Sequence, residues 1–298
     1  MAALERFGLG VRTLSVSCSR KRGLPDFPTR TLYADRDRRY DRAVTIDLSG
    51  QTALVTGASR GIGASTARRF VDLGANVVLA ARSFDDIERL AADLGSSAIA
   101  VRCDVSNYGD VVRAVSVAQD RFGALDILVN NAGLIEPIAR IERSDPQAWG
   151  NVVDVNLKGV YHGLHAAHPA MKDRGGLIIN LSSGAAGGLL EGWSHYCATK
   201  AAVLSLTRNA HNEWKDQGIN VVGLSPGTVA TEMQVAIKGS GINPVSQLDW
   251  SDHISPEWVA QAIAWLTTPE ASEQYGSDFS LKTDEGLKLV GLRQDRPT

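Results

Sequence analysis

The stretch TALVTGASRGIGASTARRF, Thr52–Phe70, decides how this chain folds. Its first five residues, Thr52–Thr56, form the short apolar run of a strand buried on both faces. Apolar residues then recur at helical spacing from Ile62 to Leu73, and Gly74 follows where a helix end favours a left-handed residue. Between the two lie Gly57, Gly61 and Gly63, spaced GxxxGxG. A strand, a glycine turn and a helix together bring backbone close to a pyrophosphate and aim helix N–H groups at it. Glycines needed only for packing are the plainer account, and the position between strand and helix argues against it.

The same alternation continues outward. Strand runs are expected at Asn76–Ala80, Ala98–Cys103, Asp126–Asn130, Leu177–Leu181, Ile219–Leu224 and Asp278–Leu281. Helical patterns separate them: Asp85–Leu94 closed by Gly95, a helix carrying Val111, Val115, Ala118 and Phe122, a long helix opened by Asp145–Pro146, and Ser194 to about Lys215. Continuously apolar strands alternating with helices mean an α/β fold. It is a doubly wound parallel sheet, Rossmann-like, of about seven strands with helices on both faces. One catalytic domain, residues 46–293, is expected, with a tail at 294–298. Ligands in such sheets bind beyond the carboxyl ends of the strands.

Composition sets the outer limits. The chain has 298 residues, 44% hydrophobic and 21% charged, with a formal net charge of −2. That balance points away from a nucleic-acid surface, and no apolar run has the length of a membrane span. Cys18, Cys103 and Cys197 match no disulfide or zinc spacing, so a reducing, cytoplasmic setting without a metal is expected. His162, His165 and His168 lie near one helix face with no carboxylate partner motif and read as surface or interface groups. Residues 1–45 are rich in arginine and lack an apolar signal core. They read as a flexible extension or an upstream start, with an organelle transit peptide as the alternative.

In SHYCATK, Ser194–Lys200, Tyr196 precedes Lys200 by one helical turn, so the two side chains share a face. An ammonium there favours the phenolate and makes the tyrosine a usable acid–base group near neutrality. A polar pair on a solvated surface is the alternative reading.

TGASRGIG, then NNAG at Asn130–Gly133, then Tyr196-x-x-x-Lys200, in that order, resembles the short-chain dehydrogenase/reductase family over about residues 48–282. The resemblance implies a carbonyl–alcohol oxidoreductase using a nicotinamide dinucleotide. Gly57, Ser59, Arg60, Gly61, Ile62 and Gly63 would then cradle the cofactor, with Asp104 and Val105 at the adenine. Asn131, Ala132 and Gly133 would line its ribose and pyrophosphate. Pro226, Gly227, Val229 and Thr231 would meet the nicotinamide side, where Tyr196 and Lys200 also touch it. A turn cap is the competing reading of Asp104. NAD-dependent relatives carry an acid at the position of Ala81. Here Arg82 follows and Arg60 lies in the loop, so NADP(H) is expected, with NAD(H) as the alternative.

The family places a catalytic serine 13 residues before the tyrosine, which implies Ser183, with Ser182 its neighbour in a strand whose side chains alternate. It also implies Asn156 in a proton relay to the lysine; a locally bonded helix asparagine is the alternative. Leu134–Arg140, Gly184–Trp193 and a lid at about residues 232–255 should face the substrate, with Trp193, Met233 and Trp250 as candidate contacts. Similarity to sepiapterin and benzil reductases implies a dicarbonyl or aryl ketone; a 3-oxoacyl thioester is the alternative. A dinucleotide-binding sensor or scaffold without turnover is the competing function. The usual Asp-Gly-Gly does not follow the last strand, which questions the packing there. A homodimer or homotetramer is expected.

Overall fold

A computed structural model describes residues 46–292 of the chain. The expectations for residues 1–45 and 294–298 lie outside the described residues. Seven parallel strands form one sheet: β1 Thr52–Thr56, β2 Asn76–Ala81, β3 Ala98–Arg102, β4 Ile127–Asn130, β5 Gly176–Leu181, β6 Ile219–Ser225 and β7 Asp278–Ser280. Their order is β3-β2-β1-β4-β5-β6-β7. The chain winds outward from β1 in one direction, returns, and winds out from β4 in the other. The crevice between β1 and β4 is therefore the place where this topology binds ligands.

Nine α-helices accompany the strands among the described residues: α1 Gly61–Asp72, α2 Phe84–Leu94, α3 Tyr108–Phe122, α4 Pro146–Val153, α5 Gly159–Met171, α6 Ser194–Trp214, α7 Glu232–Ser240, α8 Pro256–Trp265 and α9 Asp284–Leu289. Strand side chains alternate between faces. Ala53, Val55, Val77, Leu79, Ile127 and Val129 pack with Phe70 of α1, Ile87 of α2 and Ile263 of α8. Leu54, Val78, Leu128, Ile178 and Val221 pack with Val115 of α3, Leu164 of α5 and Val203 of α6. Each fully buried aliphatic side chain contributes roughly 1.5–3 kcal/mol. With a packed layer on each face, the strand ends cannot shift without disturbing both.

Three local features depart from the expected elements. β4 begins at Ile127, one residue later than expected, although Asp126 N still donates to Thr52 O and its carboxylate accepts from Thr52 N at 2.8 Å. The long helix expected after Asp145 is interrupted by a π-helical turn, Asp154–Lys158, between α4 and α5. The C-terminal segment packs without Asp-Gly-Gly. Thr283 caps α9 by accepting from Gly286 N, and Leu287, Val290 and Leu292 are buried in the core under α1 and α8. A Cβ on Gly286 would overlap the Ser280 carbonyl, so one glycine suffices for this close approach.

The lid segment is α7 followed by 3-10 turns at Pro244–Gln247 and Trp250–Asp252. Hydrogen bonds from Ala230 N to Ile254 O (2.9 Å) and from Ile254 N to Thr228 O (3.0 Å) tie its two ends together. Among the described residues no helix is long and apolar enough to cross a membrane, and no three His, Cys, Asp or Glu side chains group as metal ligands.

Candidate active site

The glycine turn joins β1 to α1 at the crevice. Gly57 and Gly61 have φ of +64° and +53°, where L side chains are strained. A Cβ on Gly63 would overlap the Gly57 carbonyl and stand 2.7 Å from Asn131 Nδ2. No side chain caps α1 at Arg60 and no acid occupies its first turn, so its leading N–H groups are left for an anion. A bare cradle of backbone at an uncapped helix start fits a dinucleotide pyrophosphate.

Asn131 builds this cradle more than it lines it. Its Nδ2 donates to Thr56 O (2.9 Å) and Gly57 O (3.1 Å), while Thr56 Oγ1 accepts from Asn131 N and Ala132 N. Gly133 borders the Asn156 amide, with a would-be Cβ 3.5 Å from its Oδ1. On the opposite wall, the Thr231 methyl would lie 3.1 Å from a Cβ on Gly61. Gly227, at φ +84°, turns the chain after Pro226 and β6, and the buried Val229 bridges to Ile254. Ile62 packs against the core below, whereas Ser59 is half-buried in the loop.

Arg82 is exposed after the buried Ala81, so no acid ends β2. Arg60 Nη1 is paired with Glu232 Oε2 of α7 at 2.7 Å, both largely exposed. Sequence spacing could not show that this arginine already holds a carboxylate. Asp104 makes the turn considered for it: Oδ1 accepts from Ser106 N (3.0 Å) and Ser106 Oγ (2.7 Å). Burial works to raise its pKa, but these bonds and nearby Arg82 prevail and hold it below the usual carboxylate value. Val105 is fixed by His162, whose ring Nδ1 lies 2.8 Å from its carbonyl. His165 meets Tyr108 Oη, and His168 meets Gln217.

Tyr196, Lys200 and Ser183 come together at the carboxyl end of β5. Tyr196 and Lys200 are 9% and 5% exposed, which removes the surface-pair reading. Lys200 Nζ donates to Leu181 O at 2.6 Å and lies 5.5 Å from the centre of the Tyr196 ring. The Ser183 hydroxyl is close enough to Tyr196 to favour its phenolate, and its Oγ accepts from Ala185 N at 3.1 Å. Ser182 Oγ is instead buried on the other side of the strand end, without a partner, beside Asp278. The strand alternation thus turns Ser183, not Ser182, toward the tyrosine.

The electrostatics differ from the simple expectation that Lys200 lowers the Tyr196 pKa. Burial pushes Tyr196 up to about 12, against a smaller lowering by the nearby Ser183 hydroxyl. Burial likewise pulls Lys200 down to about 8, opposed by Asp278. Desolvation penalises both charged forms and is the largest cause of each shift.

Asn156 sits in the π-helical turn, fully buried. Its Oδ1 accepts from Leu134 N (2.7 Å) and its Nδ2 donates to Leu134 O (2.8 Å). Both ends of the amide are therefore spent on fixing the loop after β4. Such helix widenings recur at functional sites.

An apolar cluster covers Tyr196. Trp193 meets its ring edge-on at 5.6 Å, and Ile135, Ala185 and Ile237 are buried with them. Met233, Leu190, Val245 and the half-buried Cys197 pack around this group. Trp250 lies outside it, stacked on His253 at 5.3 Å. Sequence reasoning missed His195, wholly buried, whose Nε2 lies 2.8 Å from Ile135 O and fixes one wall. Its place beside Tyr196 was the one available signal.

The family model for short chain dehydrogenases matches residues 51–240. Cis-4-hydroxycyclohexanecarboxylate dehydrogenase of Sinomonas cyclohexanicum is 37% identical over 251 residues, 80% of this chain and 97% of that protein. 3beta-hydroxysteroid dehydrogenase 1 of Eggerthella lenta is 36% identical over 260 residues, 82% of this chain and 95% of that protein. Among solved structures, 3-ketoacyl-(acyl-carrier-protein) reductase from Brucella melitensis complexed with NADH superposes with a TM-score of 0.71. It is 32% identical, and the match covers 79% of this chain and 98% of that one.

Proposed function

The chain belongs to the short chain dehydrogenase family of oxidoreductases, and on that premise we propose that it interconverts a ketone and a secondary alcohol using NADP(H). The observation that carries this reading is the buried pair Tyr196 and Lys200, with the half-buried Ser183 beside them, in a fold that also holds a glycine turn fit for a pyrophosphate. The cofactor, when bound, supplies or accepts the hydride. Tyr196 donates its proton to the carbonyl oxygen in reduction, leaving the phenolate, and in oxidation that phenolate takes the proton of the alcohol. Its raised pKa keeps that proton in place until a reacting oxygen is present. Ser183, beside the tyrosine, holds the same oxygen and orients it. Lys200, pinned on Leu181 O, sets a positive charge beside the ring and favours the phenolate left after donation. The relay part of Asn156 falls to its main chain in the widened turn, since its side chain clamps Leu134.

NADP(H) is favoured over NAD(H) by the missing acid after β2 and by Arg60 and Arg82 on that side of the cradle. The apolar walls over Tyr196 support a ring-bearing ketone above a 3-oxoacyl thioester. Two relatives named for alicyclic alcohols point the same way. We propose a homodimer or homotetramer, which light scattering reads directly. The test is oxidation of NADPH and of NADH against cyclic ketones, aryl ketones, diketones and 3-oxoacyl thioesters. Tyr196→Phe should abolish reduction while NADPH binding, followed by fluorescence, persists. Binding without turnover of any carbonyl by the natural chain would instead favour a dinucleotide sensor.

A further inference from the structure

Asp278 is a half-buried carboxylate that the catalytic set does not use. It opens β7 opposite Gly223 of β6, where a Cβ would stand 2.7 Å from its Oδ1. With no side chain on Gly223, the carboxylate can lean across β6 toward β5 and α6. Its Oδ2 accepts from Ser225 Oγ at 2.7 Å. Its Oδ1 is buried without a partner, and so is Ser182 Oγ. These are an acceptor and a donor; burial raises the Asp278 pKa, and the Ser225 and Ser182 hydroxyls, then Arg208 and Lys200, act against that rise in favour of the ionised carboxylate. Ser182 in turn stands between Leu181, whose carbonyl holds Lys200 Nζ, and Ser183.

The charges around this group are few. From α6, Arg208 and Lys200 act on Asp278, and Tyr196 is the titratable ring beside Lys200. β5 and β6 present Ser182 and Ser225 rather than charges. His211, further along α6, accepts from Val221 N, and burial, then Lys215, holds its pKa below the ordinary value, so it adds no charge near neutrality. An ammonium buried without a counter-charge is strongly disfavoured. We propose that Asp278, with Ser182 between them, is the counter-charge that keeps Lys200 protonated beneath the cleft. It is thus a positioning residue for proton transfer. The inference rests on the reading of Lys200 as the partner of Tyr196. Burial and Asp278 act on Lys200 in opposite directions, as this arrangement requires.

The experiment compares the full chain with Asp278→Asn, which keeps an acceptor for Ser225, by two readouts. NMR of lysine labelled with carbon-13 at Cε follows the Lys200 titration, the resonance being assigned by its loss in Lys200→Met. It should move to lower pH in Asp278→Asn. The kcat/KM for NADPH-dependent reduction should fall roughly five-fold at pH 8 and stay near that of the natural chain at pH 6. This is the result of a lysine pKa lowered by about one unit from about 8. An unchanged Lys200 titration overturns the proposal, whatever happens to activity or melting temperature. If the titration moves but the natural chain turns over no carbonyl, the enzymatic reading fails and the counter-charge stands. Should Asp278→Asn not fold, Ser182→Ala carries the test: the same direction is expected, and no movement overturns the proposal.

Discussion

Replacing Lys200 with methionine should make the protein more stable and inactive. The side chain is 5% exposed, and methionine fills nearly the same volume without a charge. Burial lowers the lysine pKa from 10.5 to about 8, against the opposing pull of Asp278. At about 1.4 kcal/mol per pH unit, holding the ammonium in the fold at pH 7 costs about 3 kcal/mol relative to the unfolded chain. Losing the bond to Leu181 O returns about 1 kcal/mol, leaving a net gain of about 2 kcal/mol. The sign follows from proton binding. Between pH 8 and 10.5 the unfolded chain holds a proton on this lysine that the folded chain has released, so stability rises with pH there. Lys200→Met lacks that rise. Its advantage should shrink by about 2 kcal/mol between pH 7 and 9.5. Tyr196 titrates in both proteins and cancels in the comparison. Urea denaturation of each protein at the two pH values measures the difference. A stability difference that does not change with pH would refute the assignment of a buried, depressed lysine. Function here is sited on a group that the fold would be more stable without.

Ser183→Ala should lower kcat about 10²–10³-fold, as loss of a donor to the reacting oxygen does, whereas Ser182→Ala should keep most activity at pH 7; the reverse order would place the other hydroxyl at the carbonyl. Glu232→Gln releases Arg60 from its carboxylate partner, so NADPH should bind roughly 2–5-fold tighter and NADH unchanged in a fluorescence titration. No effect on NADPH would separate Arg60 from the 2′-phosphate. Gly63→Ala drives a methyl into the Gly57 carbonyl and should cost about 1–3 kcal/mol in thermal or urea unfolding, with dinucleotide binding weakened more than about tenfold. Normal stability and binding would show a looser loop than the contacts require.

Much of the site can be read from local spacing. Tyr196 and Lys200 share a helix face because of a four-residue interval, and the glycine turn shows as a gap between two periodic segments. The π-helical turn at Asp154–Lys158 left no such mark, because the pattern around it is helical on both sides. The roles of Arg60 and Asn131 changed for a different reason. Their partners, Glu232 in one case and Thr56 and Gly57 in the other, are distant in sequence. Trp193 and Trp250 looked equivalent along the chain, yet the first meets Tyr196 edge-on and the second stacks on His253.

By itself, then, the sequence determined the strand and helix order, the parallel sheet and the residues able to carry the chemistry. Each depends on periodicity or intervals within a few residues. Only the tertiary structure decided which serine faces the tyrosine, that burial dominates the pKa of Tyr196 and Lys200, and that Asp278 stands across Gly223 with its carboxylate on Ser225. Those outcomes depend on desolvation and on contacts between strands far apart in the chain. Both arise only when the layers pack.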